Sequence, residues 1–244
     1  MQPMNPVLFT AIIGGYDKGE PVPDEFRTGW TCLCFSDDPN NVAHGWTYVP
    51  VDMNAFPGLP PVAVAKHIKI FPESHLFNHV TQNVTHHLWI DGNRRVLKDL
   101  NLFLDKYKDS ERLTMTHPNT KYADLYSEIT SIRKHPRPYL QNADKRIDYQ
   151  EKFYRDEGIP GDAGCLCENG VLLRQPTWEN RMLGHLWWQE LFRFRTWRDQ
   201  IALRVVLYRL GWKIDLAPRK DVSRAEPNGK AFFQHTVHES LGRK

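Results

Sequence analysis

Short apolar, β-branched runs alternate along this chain with longer helix-patterned segments. That alternation predicts an α/β fold with a central, mostly parallel sheet flanked by helices. Two further observations agree with it. Three of the apolar runs stop at polar turns, Gly14-Gly15-Tyr16-Asp17, Ser36-Asp37 and Asp91-Gly92-Asn93, as strands feeding crossover connections do. The make-up of the chain, 41% hydrophobic and 25% charged residues, is that of an ordinary globular protein and excludes a collagen-like, coiled-coil or wholly disordered chain. A length of 244 residues suits one large domain over 1–244.

The elements follow in order. Residues 7–13 form an apolar run stopped by two glycines and read as a buried first strand. Residues 30–35 read as a second strand and 46–49 as a short third. Residues 61–71 pattern as a helix with proline in its first turn. A strand at 87–90 runs straight into Asp91-Gly92-Asn93. A helix at 99–107, a strand at 113–116, and helices at 120–133 and 144–157 follow. Residues 164–173 suggest a hairpin or a pair of strands around Asn169-Gly170, since Asn-Gly is a strong hairpin turn. Residues 178–210 are helical, with a break near Thr196, and 211–244 read as a polar, irregular tail.

Lysine and arginine number 32 against 29 acidic residues, a formal charge of +3, so composition asks for no nucleic-acid partner. The first residues lack the positive and apolar regions of a signal peptide, and no apolar stretch approaches the ~20 residues of a membrane helix. The expectation is a cytoplasmic protein without a transmembrane segment. The four cysteines form two Cys-x-Cys pairs, Cys32/Cys34 and Cys165/Cys167. Structural zinc uses two to four intervening residues, so buried thiols in strands are expected over a zinc clamp.

Ligands of open α/β sheets bind at the carboxyl ends of the strands. The three polar turns then place Asp17, Asp37 and Asp91 along one cleft. In Asp91-Gly92-Asn93 two oxygen-bearing side chains flank a glycine, an arrangement suited to a hard divalent cation and equally to a plain turn. Lys66 and Lys69 are three apart and share a helix face, where they can meet a diphosphate or only solvent. Glu190 and Asp199 sit beside tryptophans, and a helix break near Thr196 would let them converge on one pocket. Their alternative is salt bridging within a tryptophan-rich core. His235 and His238 can add neutral imidazole to a metal site or be surface residues. No Gly-x-Gly-x-x-Gly or Walker A motif is present.

Taken as an ordered set, these motifs resemble the TOD1/MUCI70 family, a glycosyltransferase-like family with bacterial members. Thr10-Ala11-Ile12-Ile13-Gly14-Gly15-Tyr16-Asp17 is similar to its opening "TAIFGGYD". Cys34-Phe35-Ser36-Asp37 is similar to "CFTD", and Lys66-His67-Ile68-Lys69-Ile70 to "RxxKI" with lysine for arginine. Leu88-Trp89-Ile90-Asp91-Gly92-Asn93 is similar to "WIDGN". Trp187-Trp188-Gln189-Glu190 with Arg198-Asp199-Gln200 is similar to "WWxE…RDQ". His117-Pro118 resembles the start of its "HPxR" stretch, but Asn119-Thr120 departs where the family has arginine. The resemblance spans about residues 7–210 and leaves 211–244 uncovered. It implies a GT-A-like fold and transfer of a sugar from a nucleoside-diphosphate donor, a UDP-sugar, to a hydroxyl of a glycan acceptor.

On that resemblance Thr10, Ala11, Tyr16, Asp17 and Asp37 would surround the base and ribose, and Lys66 and Lys69 the diphosphate. Asp91, Gly92 and Asn93 would form the cation turn for Mn²⁺ or Mg²⁺; His235, in the tail that the resemblance leaves uncovered, is expected from its imidazole alone as a further ligand. Glu190 or Asp199 would bind the acceptor hydroxyl, in an inverting enzyme as general base. Two other classes remain open on the residues alone: a non-catalytic carbohydrate-binding protein on a transferase scaffold, and a nucleotidyltransferase.

Overall fold

The computed structural model describes residues 4–80, 83–116, 124–134, 143–163, 167–218, 221–223 and 231–236. Ten strands and seven α-helices are found among them. They are β1 (Pro6–Ile12), β2 (Thr31–Ser36), β3 (Thr47–Pro50), α1 (Pro61–Ile70), α2 (Pro72–Leu76), β4 (His86–Ile90), β5 (Arg94–Val96) and α3 (Leu100–Tyr107). Then come β6 (Arg112–Thr116), α4 (Leu125–Lys134), α5 (Ala143–Asp156), β7 (Cys167–Arg174), α6 (Trp178–Phe194), α7 (Asp199–Leu210), β8 (Asp215–Ala217), β9 (Val222–Ser223) and β10 (Phe233–His235).

Seven strands form the main sheet in the order β3-β2-β1-β4-β7-β6-β8. All run in one direction except β7, which is antiparallel to both neighbours. This mixed, mostly parallel sheet between helices is compatible with a GT-A-like fold. β1 is buried along its whole length because both faces are covered, which is why it reads as a continuous apolar run rather than an alternation. The period of two sends its side chains to two cores. Val7, Phe9 and Ala11 pack with residues of α1 and α4 to α7, whereas Leu8 packs with Leu88, Phe103, Leu104 and Phe233 on the other face.

The helix expected at 61–71 closes at Ile70, because Pro72 starts the next helix and Phe71 before it takes a non-helical ψ of 58°. The break expected near Thr196 falls between α6 and α7, where Arg195 ends α6 in the left-handed conformation. Of the helix expected at 120–133, α4 occupies 125–134, and residues 120–123 lie outside the described residues.

Two expectations are corrected. Asn169-Gly170 is not a hairpin turn: both residues lie inside the single strand β7. The register to β6 jumps there, from Thr114 opposite Leu172 to Met115 opposite Glu168, so the turn-prone pair forms a bulge. The Thr114 hydroxyl reaches into it, 3.0 Å from the carbonyl oxygens of both Glu168 and Val171. Gly170 is needed for a close approach, since a Cβ there would fall 2.6 Å from Nη2 of Arg94. The tail is also not uniformly irregular. β8 extends the main sheet, and β5, β10 and β9 form a second, three-stranded sheet. Strands of two or three residues carry no readable periodicity, which hid them.

Cys32, Cys34 and Cys167 are buried free thiols, and Cys165 lies outside the described residues. β2 and β7 are three strand spacings apart, about 14 Å, so Cys32 and Cys34 cannot share an ion with Cys167. Burial pushes the Cys32 and Cys34 thiols up to about 12. Iodoacetamide at pH 8 should therefore leave both unlabelled in the native protein and label both in urea, as mass spectrometry of the peptides would read. Gly170→Ala should lower stability by roughly 1–3 kcal/mol through overpacking against Arg94, measurable by urea unfolding.

Candidate active site at the carboxyl edge of the sheet

β1, β2 and β4 are adjacent and parallel, so their following turns share one edge. At the end of β2, both carboxylate oxygens of Asp37 accept from the Gly14 backbone N–H, at 2.9 and 3.1 Å. Gly14 has φ +73°, and a Cβ there would lie 2.8 Å from Cβ of Pro61, so glycine lets the first turn close on the start of α1. The Ser36 hydroxyl donates to the Ile12 carbonyl at 2.7 Å, tying the two strand ends together. Asp17 is buried and Tyr16 exposed in the same turn.

Asp91 follows β4. Trp89, two residues earlier and so on the same face, donates its indole N–H to Oδ1 of Asp91 at 2.8 Å. α1 delivers Lys69 to the same oxygen at 3.5 Å. The Lys69 ammonium is 1% exposed and lies 2.7 Å from Oδ2 of Asp199, and Lys66 reaches Oδ1 of Asp199 at 3.0 Å. The three-residue spacing thus puts both lysines on one carboxylate. Asp199 is the first residue of α7, where negative charge is favoured, and its backbone carbonyl accepts from the Trp187 indole at 2.9 Å.

The electrostatics follow from this packing. Burial lowers the pKa of Lys69 against the opposing pull of Asp199 and Asp91. Burial alone would raise Asp199, but Lys66 and Lys69 outweigh it and hold its carboxyl well below the usual range. For Asp91, burial is likewise outweighed by Lys69, Lys66 and Arg94, and its pKa is lowered.

β10 brings a distant part of the chain to the Asp91-Gly92-Asn93 turn. It pairs with β5 so that His235 lies opposite Arg94, and Nε2 of His235 is 3.2 Å from Nδ2 of Asn93. The Asn93 carbonyl accepts from the backbone N–H and the hydroxyl of Thr236, at 2.9 and 3.0 Å. Beside it the buried Arg94 guanidinium is bonded to Glu168. Asp91 keeps 39% of its side chain exposed, and its contacts to Trp89 and Lys69 both fall on Oδ1. Asp91 and Asn93 thus offer carboxylate and amide oxygens of the kind a hard divalent cation takes, while the His235 imidazole faces the Asn93 amide nitrogen. Among the described residues, no cluster of three or more His, Cys, Asp or Glu side chains is placed to hold a metal, so any ion here relies on Asn93 as well. His238 lies outside the described residues.

Other expected residues sit elsewhere. Thr10 and Ala11 are 1% and 9% exposed inside β1, where they pair with Cys34 and Phe35 of β2. Glu190 and Asp199 do not share partners. Glu190 is buried on α6 against Arg209 at 2.9 Å and Arg193 at 3.8 Å, whereas Asp199 is held by the two lysines. Lys69 is enclosed by carboxylates, leaving Lys66 as the more accessible ammonium. Sequence reasoning missed Trp89, Arg94, Glu168 and Thr236. Trp89 was findable, because a residue two before Asp91 shares its strand face. The others depend on the bulge and on β10, which have no sequence signature.

Removing one member of the buried lysine–carboxylate group leaves an uncompensated charge, so Lys69→Met should cost about 3–5 kcal/mol in urea unfolding. The folded pKa values of Asp91 and Asp199 are below the unfolded value, so their stabilisation is complete above about pH 4 and is lost as pH falls through the folded values. The urea midpoint of the wild type should drop steeply below pH 4, and that of Asp199→Asn less so.

Among the described residues no helix is long and apolar enough to cross a membrane. No curated protein matches the chain. Residues 69–225 match the family model described as TOD1/MUCI70, glycosyltransferase-like domain. The matched span opens at Lys69 and takes in Asp91, Asn93, Glu190 and Asp199, while Asp17, Asp37, Lys66 and His235 lie outside it. Well over half of the chain is covered, and the protein belongs to the TOD1/MUCI70 glycosyltransferase-like family.

Proposed function

We propose that this protein is a glycosyltransferase that moves a sugar from a nucleoside diphosphate, a UDP-sugar, to a hydroxyl of a glycan acceptor, as in polysaccharide biosynthesis. The observation that carries the reading is the Asp91-Gly92-Asn93 turn at the carboxyl edge of a mostly parallel sheet, with Lys69 of α1 against Asp91 and His235 against Asn93. Family membership supports the same reaction class.

Asp91, Asn93 and His235 would hold Mn²⁺ or Mg²⁺, which when bound neutralises charge on a departing diphosphate. Lys66, half-buried at the rim, would meet the phosphate oxygens directly. Lys69 would act through Asp91 and Asp199, fixing the first and orienting Lys66 by way of the second. Tyr16 and the Asp37-bound turn would border the base and ribose. In this reading Asp199 is a positioning residue: a carboxyl held far below neutral pH is a weak proton acceptor. Glu190 serves α6–α7 packing through Arg209.

Isothermal titration with UDP, with and without Mn²⁺, tests the reading. The wild type should bind more tightly with Mn²⁺, and Asp91→Ala should lose that increment at a temperature where its melting curve, lowered by the loss of a Lys69 partner, still shows it folded. Lys66→Ala should weaken UDP about tenfold in either condition, on the order of one charge-assisted contact. UDP release from UDP-sugars should accompany transfer. Pyrophosphate release from UTP would instead indicate a nucleotidyltransferase, and unchanged UDP affinity in Asp91→Ala would overturn the cation assignment.

A further inference from the structure

A second concavity lies at the other end of the sheet. Arg112 and Asp215 are the first residues of β6 and β8, strands parallel to β4. Through β7, Arg112 sits level with His87, because Arg174 is the register partner of both. Asp91 lies four residues beyond His87, about 13 Å along the strand direction. The cavity there has a volume of about 600 Å³ and is lined by Glu111, Arg112, Trp178, Glu179, Gly211, Trp212, Lys213 and Asp215. Its size falls within the roughly 300–1,000 Å³ usual for small-molecule sites.

Two tryptophans define it. Trp178, in the first turn of α6, is 64% exposed, although a large indole normally gains by burial. Trp212 follows the glycine that caps α7, where its backbone N–H donates to the Leu207 carbonyl at 2.9 Å. The indole N–H groups of Trp30, Trp46, Trp89 and Trp187 each donate to a protein oxygen. Among the described residues nothing accepts from those of Trp178 and Trp212, nor from those of Trp188 and Trp197, which pack against each other in an aromatic cluster.

The polar part of the wall is braced. Arg112 is buried, donates to Asn180 at 2.9 Å, pairs with Glu111 and stacks over Trp212 at 4.9 Å. Its guanidinium is thereby used within the wall. Glu111, Glu179 and Asp215 set three carboxylates against Arg112 and Lys213, an excess of one negative charge that disfavours phosphate or nucleotide. Indole faces pack against the C–H faces of sugar rings, and carboxylates accept from hydroxyls. We infer that the Trp178–Trp212 cavity is a second carbohydrate site that binds a neutral oligosaccharide by stacking, apart from the carboxyl-edge site. Its position would let it hold a remote stretch of a glycan chain while the other edge acts on an end. The binding claim itself does not depend on the donor chemistry proposed above.

Cellohexaose, xylohexaose and maltohexaose, titrated into the full chain with indole ¹H–¹⁵N resonances observed, are the probes. At least one should bind and shift the Trp178 and Trp212 signals. Trp178→Ala should weaken that binding about tenfold or more, in keeping with the loss of a tryptophan anchor. Trp178→Phe should retain most of it, because the ring face remains. The exposed position makes loss of folding an implausible cause, and the melting curve of each variant checks it. Asp91→Ala should leave oligosaccharide binding unchanged, and Trp178→Ala should leave UDP binding unchanged, so this inference and the donor reading fail separately. Absence of binding by all three hexaoses, or equal affinity in Trp178→Ala, would overturn it.

Discussion

A buried ammonium between two carboxylates organises this molecule. Lys69 leaves solvent almost completely, and an ion in that position is tolerable only if opposite charge meets it. Asp199 and Asp91 supply that charge from α7 and from the end of β4, so one side chain joins a helix before the central strand, the strand itself and a helix more than a hundred residues later. Lys66 joins the same group through Asp199. The geometry of the edge therefore follows from electrostatic satisfaction inside the protein as much as from strand topology. Trp89 completes the enclosure, with its indole N–H on Asp91 and its ring 5.3 Å from the Lys69 ammonium.

The reversed strand β7 is the second organising constraint. Inserted between β4 and β6, it carries its bulge to the level of Asp91, where the Gly170 carbonyl accepts from the Asp91 backbone N–H at 2.9 Å. The same bulge admits Arg94, whose guanidinium lies over Gly170 and bonds to Glu168. Strand reversal, bulge and buried arginine together brace the Asp91-Gly92-Asn93 turn.

What the sequence made legible divides by range. The carboxyl-edge turns, the direction of β1, β2 and β4, and the shared face of Lys66 and Lys69 rest on local periodicity and short spacing, and all are present. The pairing of Asp199 with those lysines, 130 residues from Lys69, rests on burial that no local pattern encodes. Asn169-Gly170 shows the converse. Its local preference for a turn was plain, but the strand continued because both flanks gained partners, so tertiary pairing turned the local signal into a bulge. Glu190 and Asp199 looked equivalent beside their tryptophans, and only the positions of Arg209 and of α1 separate a packing acid from one at the edge.

The seating of β10 carries a consequence for the order in which the molecule is assembled. Asn93 and His235 are 142 residues apart, and the strand that joins them has only three residues. Closing a loop of that length is entropically costly and is repaid late, after the main sheet has set a surface to dock on. As the chain leaves the ribosome, β1 to β4 and the lysine helix emerge well before the imidazole that completes the turn. The early strands can thus pair before β10 is made, and β10 then closes over the Asp91-Gly92-Asn93 turn.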